Sequence, residues 1–257
     1  MTAPPRILAI AGSDSSGGAG IQADIKTITM LGGYAMTAIT AVTAQNTVGV
    51  QVVEELSWDL VRAQIDACWN DIGVDAIKIG MIGSAEMALL LTDALLVRKA
   101  MGIEDRIPPI VFDPVLVSTS GAILTEPGAV LAFDRLMKLA TVTTPNVAEL
   151  EALGGPGAMA ERGLTYLAKG GDAEGREVED RLFRPGQADR VWRSPRIDTR
   201  HSHGTGCTLS SAIATLLGQG LALEDAIDGA RHFVRAALEA APGFGAGHGP
   251  LGHHAVR

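Results

Sequence analysis

The stretch Arg6-Ile-Leu-Ala-Ile-Ala-Gly-Ser-Asp-Ser-Ser-Gly-Gly-Ala-Gly-Ile-Gln-Ala-Asp24 sets the structural pattern of the chain. Its apolar residues 6–11 predict a buried strand, residues 12–20 a glycine-rich loop, and residues 21–31 a helix. Backbone N–H groups of such a loop can face an anion or a flat ligand, although a purely structural turn explains the glycines equally well. The loop contains neither G-K-[ST] nor G-x-G-x-x-G, so neither a P-loop nor a dinucleotide-binding fold is indicated.

The same alternation of short apolar runs and helical segments continues along the chain. Further strands are predicted at 37–42, 50–56, 75–79, 110–113, 142–143 and 164–168, with a hairpin of 178–183 and 190–193. Further helices are predicted between 57 and 72, from 84 to about 101, at 131–139 and 147–153, and around 209–217 and 223–238. This order favours an α/β fold, a three-layer α/β/α sandwich with a mostly parallel central sheet, formed by residues 1–257 as a single domain.

Composition excludes several classes of protein. Of 257 residues, 47% are hydrophobic and 19% are charged, a balance that disordered chains do not have. The net charge is 21 − 29 = −8 and no Lys/Arg cluster is present, so we expect no nucleic-acid partner. The two cysteines, Cys68 and Cys207, form no C-x-x-C pair. Neither a signal peptide nor an apolar run near the ~18 residues of a membrane span is present, so we expect no membrane partner and a cytoplasmic location.

The segment Asp198-Thr-Arg-His-Ser-His-Gly-Thr-Gly-Cys-Thr208 leads into an apolar helix. Gly204, Thr205 and Gly206 would let backbone N–H groups and the positive helix end converge on one point. We therefore predict an anion hole for a transferring phosphoryl group or a developing oxyanion. Cys207 lies in the first turn, where the dipole would lower the pKa of a thiol. The alternative is that Cys207 is a small packing residue.

A third motif, Thr144-Pro-Asn-Val-Ala-Glu149, combines an amide and a carboxylate at helical spacing. Asn146 and Glu149 could hold a hydrated Mg²⁺ near phosphates, and Asp113 at a strand end could supply a second carboxylate. Simpler interpretations stay open, since this Asn and Glu also match a capping box and Asp before Pro is a common turn former. All these motifs follow predicted strands, and ligands of parallel sheets bind beyond the carboxyl ends of the strands.

Taken together, the motifs resemble those of one family. The shared blocks are residues 11–24, Thr43-Ala-Gln-Asn-Thr47, Lys78-Ile-Gly-Met81, Asp113-Pro-Val115, Thr144-Pro-Asn146 and His203-Gly-Thr-Gly-Cys-Thr208. This combination is similar to the hydroxymethylpyrimidine/phosphomethylpyrimidine kinases of thiamine biosynthesis, in the ribokinase-like superfamily, over residues 7–253. The resemblance implies a ribokinase-like fold, ATP and Mg²⁺ as cofactors, an aminopyrimidine alcohol or its phosphate as small-molecule substrate, and a homodimer.

The resemblance also implies roles for individual residues. The pyrimidine pocket would comprise Gly12, Asp24, Gln45 and Met81. The anion hole would comprise Gly204, Thr205 and Gly206, with Cys207 as the general base on the substrate hydroxymethyl group. Mg²⁺ and the ATP phosphates would be organised by Asp113, Glu149 and Asn146, with Lys169 and Gly171 near the nucleotide.

The segment 149–169 and the histidines from residue 201 onwards are considered separately. The family that the motifs resemble usually has room for another helix between Glu149 and Lys169, whereas only 169 − 149 = 20 residues separate them here. The resemblance therefore implies that this chain is shorter by about one helix length, ~12 residues, with Gly154-Gly-Pro-Gly157 as the shortcut. The terminal His248, His253 and His254 are interpreted as a surface tail rather than a metal site. His201 and His203, beside the anion hole, are interpreted as structural hydrogen-bonding residues.

The leading hypothesis is phosphorylation of 4-amino-5-hydroxymethyl-2-methylpyrimidine, and then of its monophosphate, by ATP. A pyridoxal kinase on the same scaffold is the nearest alternative, because pyridoxal is also a flat heteroaromatic molecule with a hydroxymethyl group. A non-catalytic pyrimidine-binding protein is the alternative from another class, and the short segment 149–169 is its only support.

Overall fold

The computed structural model describes residues 3–100, 107–116 and 129–256. Its strands are β1 (Arg6–Asp14), β2 (Tyr34–Gln45), β3 (Val50–Glu55), β4 (Ala76–Ile79), β5 (Ile110–Phe112), β6 (Val142–Thr143), β7 (Tyr166–Ala168), β8 (Glu177–Phe183) and β9 (Arg190–Pro195). They form one sheet in the order β3-β2-β1-β4-β5-β6-β7-β8-β9. The pairings from β2 to β7 are parallel, and β3, β8 and β9 are antiparallel at the edges. The predicted hairpin and mostly parallel sheet are confirmed.

Helices cover both faces of this sheet. They are α1 (Gly20–Met30), α2 (Trp58–Asp71), α3 (Ala85–Ala100), α4 (Ala129–Leu139), α5 (Val147–Ala152), α6 (Gly155–Glu161), α7 (Thr205–Gly218) and α8 (Leu223–Glu239). In β1, Leu8 and Ile10 join an apolar cluster with α2, α3 and α4, whereas Ile7 and Ala9 join a second cluster with α1, α7 and α8. The three-layer arrangement is therefore confirmed. Within the described ranges, none of these helices has both the length and the apolarity needed to cross a membrane.

The boundaries of two elements differ from their predicted positions. β1 continues to Asp14 with an irregular register between Ala11 and Ser13, where a bulge bends the strand. Gly20 already begins α1, so the glycine-rich loop comprises residues 15–19 rather than 12–20. The predicted end of the helix near Met101 lies outside the described residues.

The segment between α5 and β7 contains a helix, α6, that the sequence pattern does not predict. Gly154 and Gly155 have φ values of 98° and 76°, so they turn the chain between two helices. Pro156 lies in the first turn of α6, where its missing N–H is tolerated, and Met159 is fully buried against the α2 side of the sheet. The predicted shortcut thus contains a short helix of its own, and the prediction that this segment is shorter than in the family stays a prediction.

The histidine-containing tail is part of the packed structure. Pro250 pairs with His203 in an isolated parallel bridge. His253 is 2% exposed, and its Nε2 lies 2.8 Å from the Oγ1 of Thr208 on α7. The prediction of a surface tail is therefore wrong for His253, although His254 is exposed.

Candidate active site

A cavity of about 630 Å³ lies beyond the carboxyl ends of the parallel strands. Its wall contains every predicted site residue except Asp24, namely Gly12, Gln45, Met81, Asp113, Asn146, Glu149, Lys169, Gly171, Gly204, Thr205, Gly206 and Cys207. The fold thus brings three motifs that are far apart in the chain to the edge of one sheet.

One wall of the cavity is formed by Gly12, Gln45 and Met81. A Cβ at Gly12 would lie 3.1 Å from Met81 Sδ, so the glycine lets the thioether lie against the end of β1. Met81 is itself held by its carbonyl oxygen, which accepts a 2.7 Å hydrogen bond from Thr40 Oγ1. The Gln45 amide, whose Oε1 lies 3.2 Å from Thr43 Oγ1, offers both a donor and an acceptor to a flat heterocycle.

His203 connects three segments that surround the cavity. Its Nε2 lies 2.8 Å from Asp14 Oδ2, and its backbone N–H donates to Gly249 O at 3.1 Å. Burial opposes ionisation of Asp14, but hydrogen bonds from His203, Ser16 and Ala19 hold its pKa below the usual range. The prediction of a structural hydrogen bond by His203 is confirmed by this geometry.

The anion-hole motif forms the start of α7. Gly204 precedes the helix with a φ of 88°, and a Cβ there would overlap the carbonyl oxygen of Gly18 in the glycine-rich loop. A Cβ at Gly206 would lie 3.2 Å from Lys169 Nζ and 3.5 Å from Asp113 Oδ2. The start of the fourteen-residue helix, with its positive dipole end, therefore lies in the cavity wall, and the anion hole itself stays a prediction.

Cys207 lines the cavity, but its acidity differs from the prediction. Burial raises the pKa of this thiol to about 11, although the nearby Lys78 ammonium lowers it in part. This direction is the reverse of the expected lowering at a helix start, because loss of hydration on burial is the largest cause of the shift. Once ionised, such a thiolate is a strong base.

Asp24 does not line the cavity. Its two carboxylate oxygens each accept a 2.9 Å hydrogen bond from Lys78 Nζ, and Oδ1 accepts another from Ser211 Oγ at 2.6 Å. Both Asp24 and Lys78 are fully buried. The expectation that Asp24 belongs to the pyrimidine pocket is therefore wrong, because its carboxylate faces the protein interior.

Asp113, Glu149 and Lys169 line the same cavity, with Asp113 and Lys169 beside the start of α7. Lys169 Nζ lies 2.8 Å from Asp113 Oδ1 and 3.7 Å from Glu149 Oε2. Burial opposes the charge of Asp113, but attraction to Lys169 and Lys78 lowers its pKa overall. Burial raises the pKa of Glu149, despite attraction to Lys169. A cation therefore bridges two carboxylates on this wall.

Asn146 and Glu149 also form the capping box of α5. Asn146 Oδ1 accepts from Glu149 N–H, and Glu149 Oε2 accepts from Asn146 N–H, each at 2.8 Å. The capping interpretation is therefore confirmed. Because Asn146 still lines the cavity, capping and ligand contact do not exclude each other.

A further wall comes from the β8–β9 hairpin and α8. Arg231 Nε donates to Asp180 Oδ2 at 2.7 Å, and Gly170 N–H donates to Asp180 Oδ1 at 3.0 Å. Arg196 donates to the carbonyl oxygens of Gly171 and Gly175 at 2.6 and 2.8 Å. These contacts fix the backbone that follows Lys169.

Comparison with known proteins identifies the family. A sequence model of the phosphomethylpyrimidine kinase family matches residues 14–252. The chain belongs to this family. It is 43% identical over 265 residues to the hydroxymethylpyrimidine/phosphomethylpyrimidine kinase of Rhizobium meliloti strain 1021, covering 96% of each chain. It is 42% identical over 261 residues to a thiamine biosynthesis bifunctional protein of Geobacter sulfurreducens, covering 96% of this chain and 52% of that longer protein.

Solved structures agree with the phosphomethylpyrimidine kinase assignment at the level of the fold. An ADP complex of Bacillus subtilis pyridoxal kinase superimposes with a TM-score of 0.85 at 33% identity, covering 98% of each chain. The phosphomethylpyrimidine kinase from Clostridium difficile 630 superimposes with a TM-score of 0.73 at 36% identity, covering 90% of this chain and 97% of that one. The predicted ribokinase-like fold is confirmed.

The donor set of this phosphomethylpyrimidine kinase family member suits a hydrated Mg²⁺. Among the described residues, no cluster of three or more His, Cys, Asp or Glu side chains could hold a metal ion. Mg²⁺ usually keeps several waters and binds through one or two carboxylates together with phosphates. Asp113 and Glu149 fit that pattern, since they already hold the Lys169 ammonium between them.

Sequence reasoning missed two parts of the phosphomethylpyrimidine kinase cavity. The wall of Asp180, Arg196 and Arg231 has no motif, because its residues come from a hairpin and a distant helix. The Asp14–His203 contact joins residues 189 positions apart. The sequence offered only a weaker signal for these residues than a motif does. That signal is a charged residue that lies directly before an apolar run or inside one.

Proposed function

We propose that this chain transfers the γ-phosphoryl group of ATP to 4-amino-5-hydroxymethyl-2-methylpyrimidine and then to its monophosphate. The observation that carries the proposal is the shared cavity, which is lined by Gly12, Gln45 and Met81 and also by the start of α7, with Asp113 and Lys169 beside it. Family membership and the names of the relatives agree with this chemistry.

The reaction needs an acceptor for one proton. The hydroxymethyl oxygen attacks the γ-phosphorus in line, a new P–O bond forms, and the bond to the β–γ bridging oxygen breaks to release ADP. Burial keeps most of Cys207 as the thiol near neutral pH, so the base acts from the minor thiolate form, after the thiol proton has passed to solvent. This thiolate accepts the hydroxyl proton and becomes a thiol again. The N–H groups at the start of α7 stabilise the charge on the phosphoryl oxygens, and Gly206 leaves room for them.

Asp113 and Glu149 would hold Mg²⁺ together with the phosphates of the nucleotide. When bound, the ion supplies neutralisation of the phosphate charge. Lys169 supplies a second positive charge to the same wall, and its ion pair with Asp113 holds the ammonium at the cavity. The Lys169-Gly170-Gly171 backbone lies beside it, held through Asp180 and Arg196.

The decisive experiment replaces the proposed base. We expect Cys207→Ala and Cys207→Ser to reduce ADP release by about 10²–10⁴-fold, the usual contribution of a positioned base. Pyrimidine binding, measured by calorimetry, should survive because the Gln45 wall is unchanged. Cys68→Ala is the matched control, since Cys68 packs in the apolar cluster on the α2 side. Near-parental turnover in either Cys207 variant would refute the base assignment.

Pyridoxal phosphorylation is a second candidate. It is favoured by the solved pyridoxal kinases, which superimpose with TM-scores of 0.85 and 0.86. Side-by-side ADP release with the pyrimidine, its monophosphate and pyridoxal ranks the three substrates by kcat/KM. We expect the pyrimidine and its phosphate to rank above pyridoxal.

A non-catalytic pyrimidine-binding protein is the less supported alternative, because the relatives are named as kinases. Thermal stabilisation by the pyrimidine with no ADP formed at high enzyme concentration would restore that alternative. The homodimer implied by the family resemblance belongs to the same proposal. Light scattering tests it, with twice the 26.7 kDa of one chain as the expected mass.

A further inference from the structure

A buried ion pair lies beneath the proposed base and has no part in the chemistry described so far. Lys78, on β4, donates to both carboxylate oxygens of Asp24, on α1, at 2.9 Å. Ser211, on α7, donates to the same carboxylate at 2.6 Å. The pair therefore ties the central sheet to the two helices that pack on one face of it.

The position of this pair relates it to Cys207. Ser211 follows Cys207 by four residues, so both lie on the same face of α7, one turn apart. Lys78 also lines the cavity, whereas Asp24 does not. A Cβ at Gly80 would lie 2.7 Å from Lys78 Nζ, so the glycine leaves room for the ammonium. The cation is thus on the cavity side of the pair, and the anion is on the interior side.

Four charges act on Cys207 from the elements around it. Lys78 on β4 and Lys169 after β7 attract the thiolate, whereas Asp24 on α1 and Asp113 after β5 repel it. In the low-dielectric interior such interactions are strong. Attraction between the thiolate and Lys78 is also one of the forces that raise the pKa of Lys78 against the effect of burial.

Stability alone does not explain a charged pair at this place. Replacing a buried ion pair by well-packed apolar residues is often neutral or stabilising. We propose that the Asp24–Lys78 pair sets the charge of Cys207, with the Lys78 ammonium favouring the thiolate and Asp24 limiting that effect. Lys78 and Asp24 are then positioning residues that act through Cys207, and the proposal rests on the proposed function of Cys207 as the base.

The test measures thiol ionisation directly. The chain has two cysteines, so a Cys68→Ala background leaves Cys207 as the only thiol. The rate of alkylation by iodoacetamide is measured from pH 6 to 11 without substrate or ATP. We expect Lys78→Met to slow alkylation at pH 8 by about tenfold, equal to one pKa unit, and Asp24→Asn to accelerate it by a similar factor.

The opposite signs separate this role from a structural one. Loss of packing would lower the unfolding temperature of both variants and would change their alkylation in the same direction. Changes in the same direction, or no change, overturn the proposal. If a single variant does not fold, Asp24→Asn/Lys78→Met leaves no unpaired buried charge. It should alkylate more slowly than the background because Lys78 has the larger effect, and an unchanged rate again overturns the proposal.

Failure of this inference is distinguishable from failure of the proposed function. If alkylation shifts with opposite signs but Cys207→Ser keeps full turnover, the pair tunes the thiol and the base assignment is wrong. If Cys207→Ser abolishes turnover but alkylation does not shift, the base stands and the tuning role is wrong.

Discussion

Gly204 and Gly206 are glycines for two different physical reasons. Gly204 has a φ of 88°, and a Cβ there would overlap the carbonyl oxygen of Gly18. At Gly206 the added methyl group would instead lie 3.2 Å from Lys169 Nζ, in space that a phosphate would need. The first glycine maintains the backbone, and the second leaves room for a ligand.

We expect Gly204→Ala to lower the free energy of unfolding by at least about 2 kcal/mol, since left-handed strain alone costs about 1–3 kcal/mol. Urea unfolding followed by circular dichroism measures the change. Gly157→Ala is the control, because its Cβ would meet no atom within 4 Å and alanine favours a helix. Equal stability of the two variants would contradict this account of Gly204.

Residue patterns predict which residues belong to a site better than they predict the direction in which the side chains point. Gly204 and Cys207 are predictable because the start of α7 fixes their position. The position of the Asp24 carboxylate is not predictable in this way, because the rotation of α1 about its axis decides whether the carboxylate faces the cavity or Lys78. The signal that could have identified the pair is the lysine inside the apolar strand β4, since a buried ammonium requires a partner.

Among the elements, the C-terminal tail departs most from its prediction. Its residues 243–252 contain five glycines but no periodic apolar pattern, so periodicity gives no signal of burial. Its packing comes from backbone contacts instead, such as Gly252 N–H donating to Ala237 O at 2.8 Å. By contrast, the strands and longer helices are predictable because each has one apolar face or run.

We expect the tail to make stability depend on pH. Burial lowers the pKa of His253 from 6.5 to about 4, so the folded state keeps the imidazole neutral while the unfolded state binds a proton. The contribution of neutral His253 to the free energy of unfolding is fully present above pH 6.5. It decreases by up to about 3 kcal/mol as the pH falls towards 4.

Urea unfolding of the parent and of His253→Gln between pH 4 and 7 measures this contribution. The difference between their unfolding free energies should shrink or reverse as the pH falls, because glutamine cannot be protonated. The exposed neighbour His254 provides the control, and His254→Gln should follow the parent. A His253→Gln curve parallel to that of the parent would disprove the linkage.

At the scale of the whole molecule, one part of the cavity wall depends on a contact between β8 and α8. Asp180 on β8 accepts from Arg231 on α8 and from the backbone of Gly170, so α8 supports the segment that carries Lys169. Asp180 and Arg231 are both buried. The topology of the parallel sheet is predictable from alternation, but this connection is not, because its partners are 51 residues apart on elements without a shared motif.

We expect Arg231→Met to cost about 3–5 kcal/mol of stability, because it leaves Asp180 buried and unpaired. It should also raise the KM for ATP more than the KM for the pyrimidine, since Gly170 follows Lys169 on the proposed nucleotide side. Denaturant unfolding and steady-state kinetics measure the two effects. Arg193→Met, which removes the exposed pair with Glu179 on the same hairpin, should leave both close to the parental values. If Arg231→Met and Arg193→Met had equal stability and equal KM values, α8 would not support the segment that carries Lys169.

The bridge between His203 and Pro250 also has a consequence for the time at which the contacts of His203 can form. His203 needs Asp14 on one side and the tail on the other, and 250 − 14 = 236 residues separate those two partners. At a synthesis rate of about 5–20 residues per second, the ribosome needs roughly 12–47 s to make the second partner after the first. A growing chain therefore contains Asp14 for roughly that time before Pro250, the other partner of His203, has been made. The contacts of His203 with both partners can therefore form only after residue 250 has been made.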